Sequence, residues 1–290
     1  MDLNRKKKMI ILSGIVTLLF LASYQISNYL NKTNKPLPNF GKSYIDQFGV
    51  TEIYPTKVGG REWYVNMNDP NADGIFDTGS PIKIQPDGSW QIGTDTNSRS
   101  QNQIRMSVGT PNGMEEWKNV EITGYAKVLK DMGSGDSLVW YARGGKHSND
   151  SPCEGTSLKS GINVDGIASW KKEIWHTGGY TDESGTQKVT SSIIGKWIGW
   201  KAVIYNINHD DWVKMESYID DEHNNHWSEV TEVIDNGNWF ANSPDIIFNS
   251  ASCNKPKNYI INESGPEVTF RSDNLVWNFK NLSVREIRAP

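Results

Sequence analysis

The sequence is short of several things, and each shortage closes off a class of protein. It has two cysteines and five histidines in 290 residues. Neither type is clustered, and no H-x-x-x-H or paired Cys/His spacing occurs, so a zinc centre is not expected. No G-x-S-x-G elbow is present, which removes the usual Ser-His-Asp hydrolase signature. No strand carries the E-x-D-x-E acids of a retaining sandwich glucanase. Glu216, Asp220 and Glu222 come nearest, and Asp220-Asp221-Glu222 reads as a turn. No repeat of fixed period appears, which disfavours a propeller or solenoid. Beyond residue 26 there is neither a long apolar run nor a long amphipathic helix. Basic runs are missing too, apart from Arg5-Lys6-Lys7-Lys8. The net charge is −4, and residues 31–290 are more acidic still, because those four cations face only Asp2 in the first thirty residues. Such a domain is not built to bind nucleic acid.

What is present starts with that basic flank, residues 1–8. Residues 9–26, MIILSGIVTLLFLASYQI, follow it and are mostly apolar. This is the pattern of a signal-anchor or transmembrane helix with its basic end cytoplasmic. Ala22-Ser23-Tyr24 puts a bulky residue where a cleavage site wants a small one, so an uncleaved anchor is the first reading and a cleaved export signal the second. Both place the rest of the chain outside the membrane, as a single-pass or a secreted protein. Residues 27–45 are rich in Asn, Lys and Pro and read as a linker. Residues 46–290 form one extracytoplasmic domain.

That domain reads as short alternating runs broken by Gly, Asn, Asp and Pro. The expected strands are 62–66, 89–92, 103–108, 120–129, 138–143, 158–164, 167–176, 196–207, 212–219, 245–249, 267–271 and 275–287. Strands at this density imply an all-β, two-sheet antiparallel sandwich or jelly roll. The 12 tryptophans and 11 tyrosines exceed the needs of one core, and aromatic excess with abundant Asn and Gly is common on surfaces that stack against sugars. Cys153 and Cys253 form an even pair in an exported chain and suggest a disulfide. On the chain-entropy account, closing a loop of about a hundred residues stabilises by up to roughly 4–5 kcal/mol.

The stretch from Cys153 to Tyr180 is the densest in chemistry. Asn163-Val164-Asp165-Gly166 is a hairpin signal. In the run after it, Ala168, Trp170, Lys172, Ile174 and His176 share one face, and Ser169, Lys171, Glu173 and Trp175 the other. Neither face is purely apolar, so at least one has a task besides sealing a core. Parity elsewhere suggests a single sheet face presenting Arg105, Tyr141, Arg143, Lys201 and Tyr205, with His147, Glu173, His176 and Tyr180 entering from the central stretch. On that face a uronic-acid polymer could undergo β-elimination. Arg105, Arg143 or Lys201 would neutralise the uronate, while His147, His176 and Tyr180 would serve as base and acid. Tyr141, Tyr205, Trp170 and Trp175 are the candidate sugar-stacking rings. Separately, Asp69, Asn71, Asp73, Ile75 (through its carbonyl) and Asp77 match the first nine positions of a D-x-N-x-D-G calcium loop, though Ser80 stands where the bidentate Glu would be. A structural Ca²⁺ site and a metal-free Asx/Gly hairpin are both compatible with it.

Several of these segments also form a family pattern. WKNVEITGYAKV, LVWYARGGKHS, GKWIGWKAVIYN, DWVKMESYIDD and the closing NLVWNFKNLSVREI resemble the concanavalin A-like lectin and glucanase jelly rolls, over roughly Glu62 to Ile287. The resemblance extends to polysaccharide lyase domains of that fold. Of the three strand motifs of alginate-lyase-type jelly rolls, Trp200 to Tyr205 partly matches Y-F-K-A-G-x-Y with Val203 in place of the glycine. Arg105 alone stands for the Arg-rich strand, and no Q-I-H occurs. The resemblance implies a polysaccharide or glycan as partner. Three roles remain open: a glycan-binding module, a lyase-like enzyme, and a structural or adhesive surface protein.

Overall fold

A computed structural model describes residues 44–94, 103–133, 137–145, 153–176, 179–250 and 253–290. Its strands are β1 (Glu62–Tyr64), β2 (Phe76–Asp77), β3 (Ile82–Ile84), β4 (Trp90–Ile92), β5 (Gln103–Gly109), β6 (Val120–Asp131), β7 (Ser137–Gly144) and β8 (Ser157–Asn163). The remainder are β9 (Ile167–Glu173), β10 (Ser184–Lys188), β11 (Trp197–Ile207), β12 (Trp212–Asp220), β13 (Ser228–Asp235), β14 (Glu267–Asp273) and β15 (Leu275–Glu286). They form two sheets. One runs β13-β12-β11-β6-β15-β4-β3, with β1 also on β15; the other runs β10-β9-β8-β7-β14-β5-β2. Every pairing between these strands is antiparallel. The expected all-β two-sheet sandwich is therefore the observed one.

Some elements differ from expectation, among them the short strands β2, β3 and β10, which were not expected. Residues 245–249 are not a strand but the short helix α1 (Asp245–Ser250), which begins directly after Pro244. Conversely, β13 alternates along Ser228–Asp235 and was not expected, because Glu229 and Glu232 dilute its apolar pattern. The expected anchor, residues 9–26, lies outside the described residues. Among the described residues no helix is long and apolar enough to cross a membrane.

The core lies between the sheets and follows strand parity. Ile104, Met106 and Val108 of β5, Trp140 of β7, Trp170 of β9, Trp200 of β11 and Trp277 of β15 all point into it. Most of the tryptophans are spent in this way. Trp170 and Trp200 keep their indole N–H groups bonded, to Thr231 Oγ1 at 2.9 Å and Ser160 Oγ at 3.1 Å. The disulfide between Cys153 and Cys253 is present, with Cα atoms 5.2 Å apart. It ties the approach to β8 to the segment that follows α1.

The outward face of the β11-containing sheet is covered. Val50, Ile53 and Tyr54, from the segment before β1, pack with Tyr125, Val203, Tyr205, Tyr218 and Trp227 into a second apolar cluster. Beneath that strap lies a charge network. Lys201 Nζ is 2.8 Å from Glu121 Oε1, and Arg285 Nη2 is 2.8 Å from Glu121 Oε2. The backbone N–H groups of Ile53 and Tyr54 donate to the same carboxylate at 3.0 and 3.3 Å. Burial alone would push the Glu121 carboxyl up. The Arg285 and Lys201 charges outweigh it and hold the group down at about 2.

Because Glu121 ionises lower when folded than the ordinary glutamate value of 4.5, its contribution to stability is complete above that value and is lost as pH falls through about 2. Glu121→Gln would leave buried Lys201 without a counter-charge and Arg285 with Glu52 alone, so a loss of about 3 kcal/mol or more is expected at neutral pH. The check is a urea midpoint at pH 7 and at pH 3. The variant should start lower and lose less between the two; a variant as stable as the parent would show that the network contributes nothing.

Candidate functional site

The other sheet keeps its outward face open. Parity turns Arg105 and Ser107 of β5, Thr269, Arg271 and Asp273 of β14, Val139 and Tyr141 of β7, Lys159 and Gly161 of β8, and Ser169, Lys171 and Glu173 of β9 to that side. The register sets them in rows. One runs Arg105, Arg271, Val139, Gly161, Ser169; the next runs Ser107, Thr269, Tyr141, Lys159, Lys171. The first row ends in small side chains, and a depression of ≈ 370 Å³ opens above them. Gly161, Val139 and Ser169 form its floor. Arg271 and Asp273 flank one side, and Lys159, Lys171, Tyr180 and Glu183 the other. Gly161 has ordinary strand geometry. A Cβ there would meet nothing closer than 3.8 Å, so this glycine makes room above the sheet and is not required by the backbone.

The cations are held in place. Glu173, fully buried at the end of β9, receives the Lys159 ammonium, the Tyr180 hydroxyl at 2.5 Å and the Ser157 hydroxyl at 3.3 Å. Lys159 Nζ also lies 5.0 Å from the Tyr180 ring centre and 5.6 Å from that of Tyr141. Burial, with the Glu173 charge next, raises the Tyr180 hydroxyl above its ordinary value and keeps it protonated. Burial draws Lys159 down, against the pull of Glu173. Arg271 Nε and Nη2 donate to Asp273 Oδ1 at 3.0 and 2.9 Å. Burial opposes the Arg271 charge, but Asp273 more than compensates and raises its pKa. Lys171 lies 5.7 Å from the Tyr180 ring centre and, among the described residues, has no ion-pair partner.

The expected residues divide among several places. Arg105 and Tyr141, placed there by parity, and Glu173 and Tyr180, from the central stretch, are on the open-face side, but Tyr141 is 1% exposed and offers no ring to a sugar. Lys201 and Tyr205 are not on that side; β11 belongs to the other sheet, and both side chains lie under the strap, Tyr205 donating to Glu216 Oε1 at 2.9 Å. Arg143 leaves the face as well. Its backbone is left-handed (φ 59), the β7–β14 register breaks beside it, and Gly265 leaves space against its Cα. Its guanidinium instead donates to the carbonyls of Ile261 at 2.6 Å and Lys118 at 3.0 Å. Burial draws its pKa down, countered by the Asp210 charge. Trp170 and Trp175 are both 0% exposed and offer no ring to a sugar; Trp175 packs at 4.2 Å against Phe248. His176 is half-buried near the disulfide, where its backbone N–H donates to Glu154 O at 2.8 Å, and it does not line the depression. His147 lies outside the described residues.

In the 69–77 loop, Asp69 caps a 3-10 turn, Asp73 accepts from the Trp63 indole N–H at 2.5 Å and the Ile75 N–H at 3.0 Å, and Asp77 accepts from Gly79 N–H at 2.8 Å. Asn71 Oδ1 lies 3.5 Å from the Thr78 hydroxyl. Among the described residues no three acidic, His or Cys groups converge as a metal-binding set.

Sequence reasoning missed Lys159, Lys171 and Arg271 as site residues, although alternation along β8, β9 and β14 already set them opposite the core residues. Ala241 bridges Thr181, and Asn242 N–H donates to Tyr180 O at 3.0 Å; Phe240 beside them is 55% exposed and does not line the depression.

Fold and groove together define a β-sandwich with one covered and one open polar sheet face. No family model matches the chain, and no curated protein matches it. Solved structures similar to it include peanut lectin with a nine-residue peptide (7% identity, 79% of this chain and 99% of that one, TM-score 0.44). Winged bean acidic lectin complexed with methyl-alpha-D-galactose is another (8%, 79% and 100%, 0.44). A third is a Bacillus subtilis protein of unknown function with a galectin-like fold (10%, 79% and 100%, 0.42). Each of these likenesses is loose, with a TM-score below 0.5, and none assigns this chain a family or a ligand.

The two facing lysines should behave differently. Lys159→Met leaves a buried carboxylate without its cation and is expected to cost about 3 kcal/mol. Lys171→Met should stay within about 0.5 kcal/mol of the parent. Denaturant melts of the two variants check this; equal losses would mean that Glu173 does not depend on Lys159.

Proposed function

We propose that the protein is an exported glycan-binding module and that the groove on the β8–β9 side of the open sheet is its binding site. The observation that carries this reading is the contrast between the two outward faces. The face over β11 is sealed by apolar packing, whereas the face over β8 is left polar, with a depression floored by small residues and edged by Tyr180, Lys171 and Arg271. A sugar ring needs such a shape: polar donors and acceptors at its rim and an aromatic or aliphatic surface for its C–H face. Tyr180 supplies the latter. The disulfide suits an oxidising compartment, which agrees with export through residues 9–26 and with a domain outside the membrane.

A second reading, lyase-like β-elimination on a uronate polymer, draws on Tyr180. Its hydroxyl stands at the wall of the groove, where a proton donor to a leaving oxygen would have to sit, although its bond to Glu173 and its raised pKa both work against that transfer.

Gly161→Val adds bulk to the floor at a position where a Cβ meets only ordinary contacts. It is expected to leave the melting temperature of the full-length protein unchanged and to abolish its retention on polysaccharide affinity gels. Retention of the variant equal to that of the parent would place the binding elsewhere. Incubation with uronic-acid polysaccharides separates the second reading. Growth of the unsaturated-uronate absorbance, lost in Tyr180→Phe, would make the protein a lyase; a flat trace with binding intact leaves the module.

A further inference from the structure

The geometry points to an acidic glycan as the ligand of this groove, one that presents two oxyanions, carboxylate or sulfate, to two separate cation pairs. The inference rests on the glycan-binding reading and goes further by assigning the charge and minimum length of the sugar chain.

Two like-charged pairs stand directly opposite each other on the open face. Arg105 is the register partner of Arg271, and Lys159 is the register partner of Lys171. Like charges directly across an antiparallel pair are destabilising, and nothing in the sandwich requires either pair, because all four side chains point away from the core. Each pair is given one carboxylate for its two cations: Asp273 holds Arg271, and Glu173 holds Lys159. The other member of each pair is left over. Among the described residues Arg105 reaches only the amide oxygen of Gln103, at 3.3 Å, and its buried Nε has no hydrogen-bond partner. Lys171 has no carboxylate partner among the described residues. Glu183, on the wall of the groove, likewise makes no ion pair there, so it compensates neither cation directly.

An oxyanion at each pair would complete the charge balance that the sheet leaves open. Arg271 and Lys159 sit two strands apart across β7 and two residues apart along them, a separation of roughly 12 Å at the usual strand spacings. That is the spacing of the backbone positions, and each pair leaves one cation over, so two oxyanions on one oligosaccharide lying across the Gly161 floor are needed to answer both. A single acidic sugar is therefore expected to bind much more weakly than a chain.

The test uses the full-length protein with polygalacturonate, dextran sulfate and a panel of neutral glucans, mannans and galactans, by affinity electrophoresis at low and high salt. One or both acidic polymers should bind, with affinity falling about tenfold or more as salt is raised. Which of them binds tells carboxylate from sulfate. Arg105→Gln and Lys171→Gln should each weaken binding about tenfold, and galacturonic acid monomer should compete poorly. Neutral polymers that bind equally well, insensitively to salt but blocked by Gly161→Val, would overturn the acidic assignment and leave the glycan reading standing. Binding to no polymer would overturn both. Acidic polymers that bind regardless of Gly161→Val and of the two Gln variants would reduce the effect to nonspecific charge and overturn the assignment.

Discussion

Glu121 bridges two buried cations, Lys201 and Arg285, the second of which also pairs with Glu52, and the strapped half of the molecule closes over this network. The Glu121 carboxylate stands on the outward side of β6, where parity would leave a charge in water. Lys201 from β11 and Arg285 from β15 converge on it from either side, and the backbone of Ile53 and Tyr54 closes over it. The strap that seals this sheet is thus held by charge-assisted hydrogen bonds as well as by the apolar cluster of Val50, Tyr54 and Trp227. A buried cation needs its counter-charge, so Lys201 is committed to the scaffold.

The open sheet applies the same chemistry differently. Glu173 gathers Lys159, Tyr180 and Ser157, but no strap covers them, and the neighbouring row thins to Val139, Gly161 and Ser169. What would be a closed ion pair under the strap becomes the wall of a groove. The wall is rigid because its anchor is a fully buried carboxylate at the end of a central hairpin. That hairpin turns at the Asn163–Gly166 sequence, with Gly166 N–H donating to Asn163 O at 2.8 Å and Gly166 in the left-handed region. Groove rigidity therefore traces back to turn chemistry and one buried charge.

Much of this was legible in the residues. Alternation located most of the strands, the Asp-Gly turn located the hairpin, and the cysteine pair located the disulfide. Parity also brought Arg105 and Tyr141 to one side of a sheet, which Glu173 and Tyr180 of the central stretch share. It failed in identifiable ways. Lys201 and Tyr205 alternate just as Tyr141 does, and nothing local says that β11 belongs to the opposite sheet. Arg143 has the right parity, but a left-handed backbone turned it toward the Ile261 carbonyl. Trp170 and Trp175, counted as surface rings because of the aromatic excess, were taken up by the core and by Phe248.

The sequence by itself determined which side chains on each strand oppose one another, because a period of two follows from the pleat and from nothing farther away. It also determined the composition of the hairpin that carries Lys159, Lys171 and Glu173. Only the tertiary structure decided which sheet each strand joined and which outward face was covered. It decided as well that Arg105 meets Arg271. Those outcomes depend on pairings between residues far apart in the chain, whose register is set by the packing of the whole sandwich and not by any local preference.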